Sequence, residues 1–473
     1  MLFIIQMLSK RLLSNAARFT EFSSCKVRQY SHTTDHPIKQ DVTGSGKPSS
    51  STNDNLTIAN KQRLYMLDTF SPGSPFFLPN GTRIINRLVK FMKLQQSKQD
   101  FTEVITPLIF KKDLWETSGH WQHYKEDMFK VESNDTSKMS TEEANDVYGL
   151  KPMNCPGHCL IFKRFARSYK ELPIRLSDWS SLHRNEASGA LSGLTRVRRF
   201  HQDDGHIFCT RSQVSREIEK TLKLIKLCYS VFGFNDLSMV LSTRPPDKFI
   251  GKIGEWDQAE KELGKVLDKT VGAHKWSVNA GDGAFYGPKI DILLSDKYGK
   301  KSQVATIQLD FQLPQRFGLK YQGVNDTLEI PIMIHRAVFG SVERFLAMLI
   351  DHYGGKWPFW LSPRQAVIIP ISDTHAAYAH KLQERLSNER HDFSTPSKLS
   401  DERFYVDVDD RNSTVGFRTK DAISKAYNFI IMVGDKEING GKFAIRPRNS
   451  RKVQLLTAEE ISKMFHLLME NYK

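Results

Sequence analysis

Between Leu182 and Phe208 the chain reads LHRNEASGALSGLTRVRRFHQDDGHIF. Arg184, Arg196, Arg198 and Arg199 surround an irregular Ser-Gly-Ala-Leu-Ser-Gly stretch, and Glu186, Asp203 and Asp204 stand close by. Guanidinium groups never lose their charge and grip phosphate oxygens bidentately. A carboxylate suits an ammonium or an exocyclic amine, and Phe200 offers a face for stacking. A site for ATP plus an amino acid needs all three features. The same residues would also make a charged, solvated hairpin, and residue types alone do not choose between the two.

Three further segments carry chemistry: KPMNCPGH from Lys151, GDGAFYGPK from Gly281 and MIHRAVFGSVERF from Met333. Cys155, His206 and His335 are candidate ligands for Zn²⁺, which accepts thiolate and imidazole and, in catalytic sites, keeps a fourth position open for substrate. Cys155, His158 and Cys159 are a local alternative, although neighbouring side chains seldom complete a tetrahedron by themselves. Spacing leaves both sets open. The sequence has no G-x-x-x-x-G-K-[ST] and no G-x-G-x-x-G after a strand. Any ATP must therefore be held by dispersed arginines rather than by a glycine-rich loop.

In combination these segments resemble the threonyl-tRNA synthetases, a class II family, and the resemblance runs from about Arg63 to the C-terminus. Asp100–Leu108 is similar to motif 1, with Pro107 as its proline; Leu182–Phe200 is similar to motif 2 and Gly340–Arg344 to motif 3. The implied fold is an α+β catalytic domain, an antiparallel sheet flanked by helices, followed by a C-terminal α/β anticodon-binding domain. Motif 1 implies a homodimer. The implied substrates are ATP with Mg²⁺, L-threonine and tRNA(Thr).

Residue by residue, the resemblance implies one Zn²⁺ per chain on Cys155, His206 and His335. It puts Arg184 on the α-phosphate, Arg344 on the γ-phosphate and Arg196 on the polyphosphate. Glu186 meets the adenine amine, Phe200 stacks on the ring, and Gln308 and Ser341 lie near the nucleotide. Met153, Gln202, Asp204, Tyr286 and Gln303 line the threonine pocket. His120 serves the transfer step, and Glu437 and Arg446 read the anticodon. Ala426 stands where relatives can carry arginine, and His391–Arg403 looks like an insertion, so the anticodon recognised is left open. Many relatives carry long N-terminal domains, one of which hydrolyses seryl-tRNA. Only a short stretch precedes the catalytic segment here, so weak clearance of seryl-tRNA is expected. A non-catalytic regulator that binds tRNA or mRNA is the alternative, but it would have been favoured by loss of Arg184, Arg344 or a zinc ligand, and all are present. A metal-dependent hydrolase would need an H-E-x-x-H element or a carboxylate-rich cluster, and neither is found.

The elements that must position these residues follow from patterning. Ile84, Leu88 and Phe91 give a helix over Gly81–Gln96. Phe101–Phe110 reads as a strand that Pro107 confines to an edge. Val342, Phe345, Leu346 and Leu349 recur at helical spacing after Gly340, which leaves Arg344 off the apolar stripe. Beyond Pro363, short apolar strands alternate with helices: Ala366–Ile371, Thr374–Leu386, Phe404–Val408, Val415–Tyr427, Asn428–Val433, Phe443–Ile445 and Val453–Leu456, then a last helix. Residues 60–362 are thus expected to form the catalytic domain and 363–473 the anticodon-binding domain.

The chain has 473 residues and a formal net charge of +15, which favours a polyanionic partner. Its five cysteines are an odd, sparse set and not a disulfide framework. No apolar run approaches the ~20 residues that span a bilayer, so no membrane association is expected. Residues 1–34 carry Lys10, Arg11, Arg18, Lys26 and Arg28 against the single acid Glu21, with positive charges after the apolar stretch. That mix reads as a mitochondrial transit peptide, cut after Tyr30, which sends the protein to the matrix. Residues 35–59, rich in Ser, Thr, Gly and Asn, read as disordered linker.

Overall fold

The apolar stripe through Ile84, Leu88 and Phe91 forms one helix, Pro79–Ser97, that buries all three side chains. Proline in its first turn costs nothing, because that N–H has no intrahelical partner. The helix packs on an eight-stranded sheet in the computed structural model, which describes residues 50–132, 147–247, 249–295, 301–388, 396 and 402–473. Across the sheet the strands run Trp276–Asn279, Leu237–Ser242, Lys289–Ser295, Lys301–Asp310, Ile332–Ala337, Asp204–Cys209, Ile174–Asp178 and Thr102–Glu103. Neighbours are antiparallel except for the parallel pair at each edge.

The long helices Val214–Val231, Ile253–Thr270 and Val342–Tyr353 contribute Ile225, Leu263, Phe345 and Leu346 to the buried core. Phe91, Phe232, Phe339 and Phe345 stack or meet edge-on within it, at centroid separations of 4.3 to 6.3 Å. The C-terminal part forms a five-stranded mixed sheet, ordered Val406–Val408, Ala366–Pro370, Phe429–Val433, Phe443–Pro447, Gln454–Leu456. It has its own core of Phe359, Phe404, Phe429 and Phe465. The seam is hydrogen-bonded: Arg87 donates to the carbonyls of Trp360 at 2.8 Å and Arg403 at 3.2 Å.

Two local expectations need correction. The strand predicted over Phe101–Phe110 is two short strands in different sheets, Thr102–Glu103 and Ile109–Lys111. Between them the Thr106 N–H leaves the ladder for Asp178 and Pro107 has none to give. The linker expected through residue 59 ends inside a helix, Ser50–Gln62. Tertiary contacts override its polar composition: Ala59 is buried and Gln62 donates to the Gly355 carbonyl while accepting from Trp357 Nε1. Arg448 spends its guanidinium on the carbonyls of Ala426, Lys356 and Trp357. The expected transit peptide, the rest of the linker and most of His391–Arg403 lie outside the described residues. No described helix is long and apolar enough to cross a membrane.

Asp203, just before the Asp204–Cys209 strand, and Asp204, its first residue, are adjacent acids with different surroundings. Asp203 turns away from the cleft, so it is not the substrate carboxylate its sequence neighbourhood allowed. It accepts from Arg336 Nη1 at 3.0 Å and from the N–H groups of Val338 and Phe339 at 2.8 Å. Burial pushes its carboxyl up to about 6, against those three partners, which favour the anion. Gly205 makes room for the pair: a Cβ there would lie 2.8 Å from Arg336 Nε. Arg336→Met is expected to cost about 3–5 kcal/mol, because it strands a buried carboxylate. Replacing both partners by apolar residues should cost less. Denaturant unfolding of both variants checks this.

Candidate functional site

Sheet register builds the floor of a cleft. Lys289, Gln308, His335 and His206 are paired in one row across four strands. Side chains of a row share a face, so two histidines distant in sequence become neighbours, with ring centroids 4.8 Å apart. Cys155 enters from the side, as the buried first residue of the helix Cys155–Lys163. The candidate ligand atoms of Cys155, His206 and His335 lie within 4.8 Å of one another, and this is the metal-type cluster among the described residues. The local alternative dissolves. His158 Nδ1 bonds His206 Nδ1 at 2.8 Å, and Cys159 Sγ lies in the core 3.8 Å from Met333 Sδ. Burial, with Asp204 nearby, holds the Cys155 thiol well above its usual value, while burial beside His158 and His335 keeps the His206 ring neutral. A neutral imidazole is the form a metal binds, and a cation would draw the proton off the thiol.

The cleft has a volume of about 440 Å³, and every residue proposed from the sequence for metal, threonine, ATP or transfer lines it. At the end of the cleft with the Cys–His–His cluster, Asp204 accepts from Asn154 Nδ2 at 3.0 Å. The Tyr286 ring stacks on His335 at 5.1 Å, and its hydroxyl donates to Gln308. Gln303 reaches the same face through a bulge between Ile292 and Leu293, and donates to Asp291 at 2.5 Å. Met153 and Gln202 also line the cleft, the latter bridged to Ser341.

Motifs 2 and 3 shape the other end. The hairpin Ser181–His183/Arg199–His201 carries Arg184 and Phe200, with the guanidinium 5.0 Å above the ring. Arg196 pairs with Glu186 at 2.8 Å. Ser341 caps the Val342–Tyr353 helix by accepting from the Arg344 N–H, and Arg344 Nε is held by the Thr195 carbonyl at 3.1 Å. Burial, then the charges of Arg184 and Arg196, lowers the Arg344 pKa. Three guanidiniums that repel one another in a cleft mark a site for a polyanion. Glu343 fixes the hairpin by accepting from both the N–H and Nδ1 of His201, at 3.0 and 2.9 Å. His120 sits at the wall, its Nδ1 2.8 Å from Ser118 Oγ and its ring edge-on to Phe285.

These geometries are those of a class II synthetase, and comparison decides which. The tRNA synthetase class II core domain (G, H, P, S and T) matches residues 129–353, and an anticodon binding domain matches residues 365–466. The mitochondrial threonine–tRNA ligase of Saccharomyces cerevisiae is 53% identical over 431 residues, covering 88% of this chain and 91% of that protein. The chain belongs to the threonine–tRNA ligases. The probable mitochondrial threonine–tRNA ligase of Schizosaccharomyces pombe is 47% identical over 449 residues, 92% of this chain and 93% of that one. A Cryptosporidium parvum threonyl-tRNA synthetase structure superposes with a TM-score of 0.80 at 42% identity, covering 88% of this chain and 98% of that one. The threonine–tRNA ligase fold, a class II core plus an anticodon-binding domain, is therefore the one expected from the motifs.

Glu437 and Arg446 lie outside the cleft, on the second sheet and its Asp435–Gly440 helix, where Glu437 accepts from the Gly434 N–H at 3.0 Å. Sequence reasoning missed Tyr124, Phe285 and Thr306 in the lining. It also missed Asp310, which accepts from His335 Nε2 at 2.9 Å, and Asp178, buried behind His158. Nothing in their spacing marks these two acids. Burial acts to raise the Asp178 pKa, but His158, Ser180 and Thr106 outweigh it and hold the carboxyl well below its usual range. A depressed carboxylate contributes stability above its unfolded value, lost as pH falls toward the folded one. Wild type should therefore weaken below about pH 4. Asp178→Asn should start less stable at neutral pH and lose less on acidification, in unfolding curves at stepped pH.

Proposed function

We propose that this chain charges tRNA(Thr) in the mitochondrial matrix, in two steps within the one cleft, with threonine selected on a zinc ion held by Cys155, His206 and His335. The observation that carries the reading is the union in one cleft of a Cys–His–His cluster with three arginines. Residues 60–362 would perform the chemistry and residues 363–473, through Glu437 and Arg446, would read the anticodon. The basic leader and the mitochondrial relatives support the location.

When bound, zinc supplies an open coordination position for the amine and hydroxyl of threonine. Asp204, at the same end of the cleft, receives the substrate's polar protons, with Met153, Gln202, Tyr286 and Gln303 closing the pocket. Valine fits by size but leaves a buried carboxylate unpaired, a penalty that reaches about 10⁴-fold; serine lacks only a methyl and should be rejected by about 10–200-fold. Glu186 and Phe200 hold adenine, with Gln308 and Ser341 beside the nucleotide. Arg184, Arg196 and Arg344, with Mg²⁺ on ATP, bear the charge that grows on the phosphates as the threonine carboxylate attacks the α-phosphate and pyrophosphate leaves. The terminal ribose hydroxyl of tRNA then attacks the adenylate carbonyl, releasing AMP.

His120 would accept the proton of that hydroxyl, directly or through its neighbour. His120→Ala should slow single-turnover transfer from preformed adenylate by about 10²-fold while pyrophosphate exchange changes little. A homodimer is supported by the exposed edge strand Thr102–Glu103 and by Ile105 and Phe70, which are 86% and 97% exposed. Threonine-dependent ATP–pyrophosphate exchange tests the function. Binding of tRNA without exchange would make the chain a non-catalytic relative.

A further inference from the structure

The two histidines of the proposed metal site are each held from behind by a group that takes one ring nitrogen. We propose that His158 and Asp178 form an outer shell that sets the tautomer of His206, and that Asp310 does the same for His335. A zinc ion would then meet Nε2 of His206 and Nδ1 of His335. This rests on the zinc reading above and assigns roles to three residues outside the ligand set.

For His335 the case is direct. Asp310 Oδ2 lies 2.9 Å from Nε2, and Oδ1 of the same carboxylate accepts from the N–H groups of Gln312 and Leu313 at 2.7 and 3.0 Å. A carboxylate fixed in that way can only accept, so Nε2 carries a proton and Nδ1 is the nitrogen left for a metal.

For His206 the case runs through two residues. Its Nδ1 lies 2.8 Å from His158 Nδ1, so one of the two must donate. If His158 donated, its Nε2 would carry a bare lone pair. That atom is buried without a hydrogen-bond partner and faces Asp178 Oδ2 at 3.9 Å. Asp178 is itself locked, accepting from Thr106 N and Oγ1 at 3.1 and 2.6 Å and from Ser180 N at 2.8 Å. A lone pair facing a fixed carboxylate in a dry pocket is repulsive. With the proton on His158 Nε2 the contact becomes attractive, His158 Nδ1 accepts from His206, and the His206 lone pair is left on Nε2, 3.7 Å from Asp204 Oδ1, an opposition that a cation held there would relieve. Lys151, buried 3.5 Å from Asp178, balances the acid's charge. Cys155 and His158 stand three apart on one helix, so a single turn supplies a ligand and the residue that orients another. Outer partners of this kind tune metal affinity by about 10–100-fold.

Zinc affinity of the purified full-length chain, measured by competition with a chromophoric chelator, reads the proposal without activity. His158→Leu should weaken zinc binding by about 10–100-fold. His158→Asn, whose amide oxygen can accept from His206 Nδ1, should recover much of that loss. Cys155→Ala should bind no zinc at this site. Wild-type affinity in His158→Leu would overturn the outer shell while leaving the ligand set intact. An unmodified chain that binds no zinc would overturn the zinc reading itself. Should His158→Leu not fold, a zinc-loaded crystal structure of the unmodified chain reads the same claim. His206 Nε2 and His335 Nδ1 toward the metal is the expected result, and His206 Nδ1 toward it would overturn the proposal.

Discussion

Cys155→Ala should bind no zinc and should lose threonine-dependent pyrophosphate exchange by about 10³-fold or more. The size of the effect follows from how little else can replace the thiolate. His206 and His335 each have one ring nitrogen committed to a protein partner, so two ligands would remain where an open catalytic site needs three. Without the metal, Asp204 faces the substrate hydroxyl alone, and discrimination against valine should shrink with the rate. Cys155 lies at the start of a helix rather than deep in the main core, so the variant should fold. Far-UV circular dichroism and the unfolding midpoint check that. Exchange within about tenfold of wild type by folded, zinc-free protein would remove Cys155 from the site.

Arg184→Ala should lower the exchange rate by about 10²–10³-fold, the usual cost of removing one preorganised charge donor from a developing anion. Zinc content and the unfolding midpoint should stay near wild type, since the guanidinium lies in the cleft above Phe200 rather than in an internal ion pair. Arg184→Lys should rescue little, because an ammonium cannot make the paired planar contact with a phosphate. Arg344 and Arg196 remain in Arg184→Ala, so ATP should still bind and the loss should fall on kcat. A loss confined to the KM for ATP would make Arg184 a binding residue only.

Periodicity carried the helices. The stripes through Leu88 and through Phe345 appear where their spacing placed them. Strand alternation does not tell which of Asp203 and Asp204 faces the cleft, and only tertiary contact does. The rule misreads Gln303 and Gln308. An odd separation puts them on opposite faces of a regular strand, and the bulge opposite Ile292 restores them to one. Family resemblance put both in one site, and both line the cleft, where local pattern would have split them. The metal triad was illegible by spacing, because its geometry comes from strand register and from a helix that arrives from elsewhere in the chain. The polar helix Ser50–Gln62 and the buried acids Asp178 and Asp310 are tertiary facts, and single-residue propensity does not encode them.

Zinc returned in steps to metal-stripped protein, with bound metal and threonine-dependent exchange followed together, tests the central claim most directly. Exchange should rise linearly and level off at one zinc per chain. Full exchange by protein shown to hold no transition metal would contradict it.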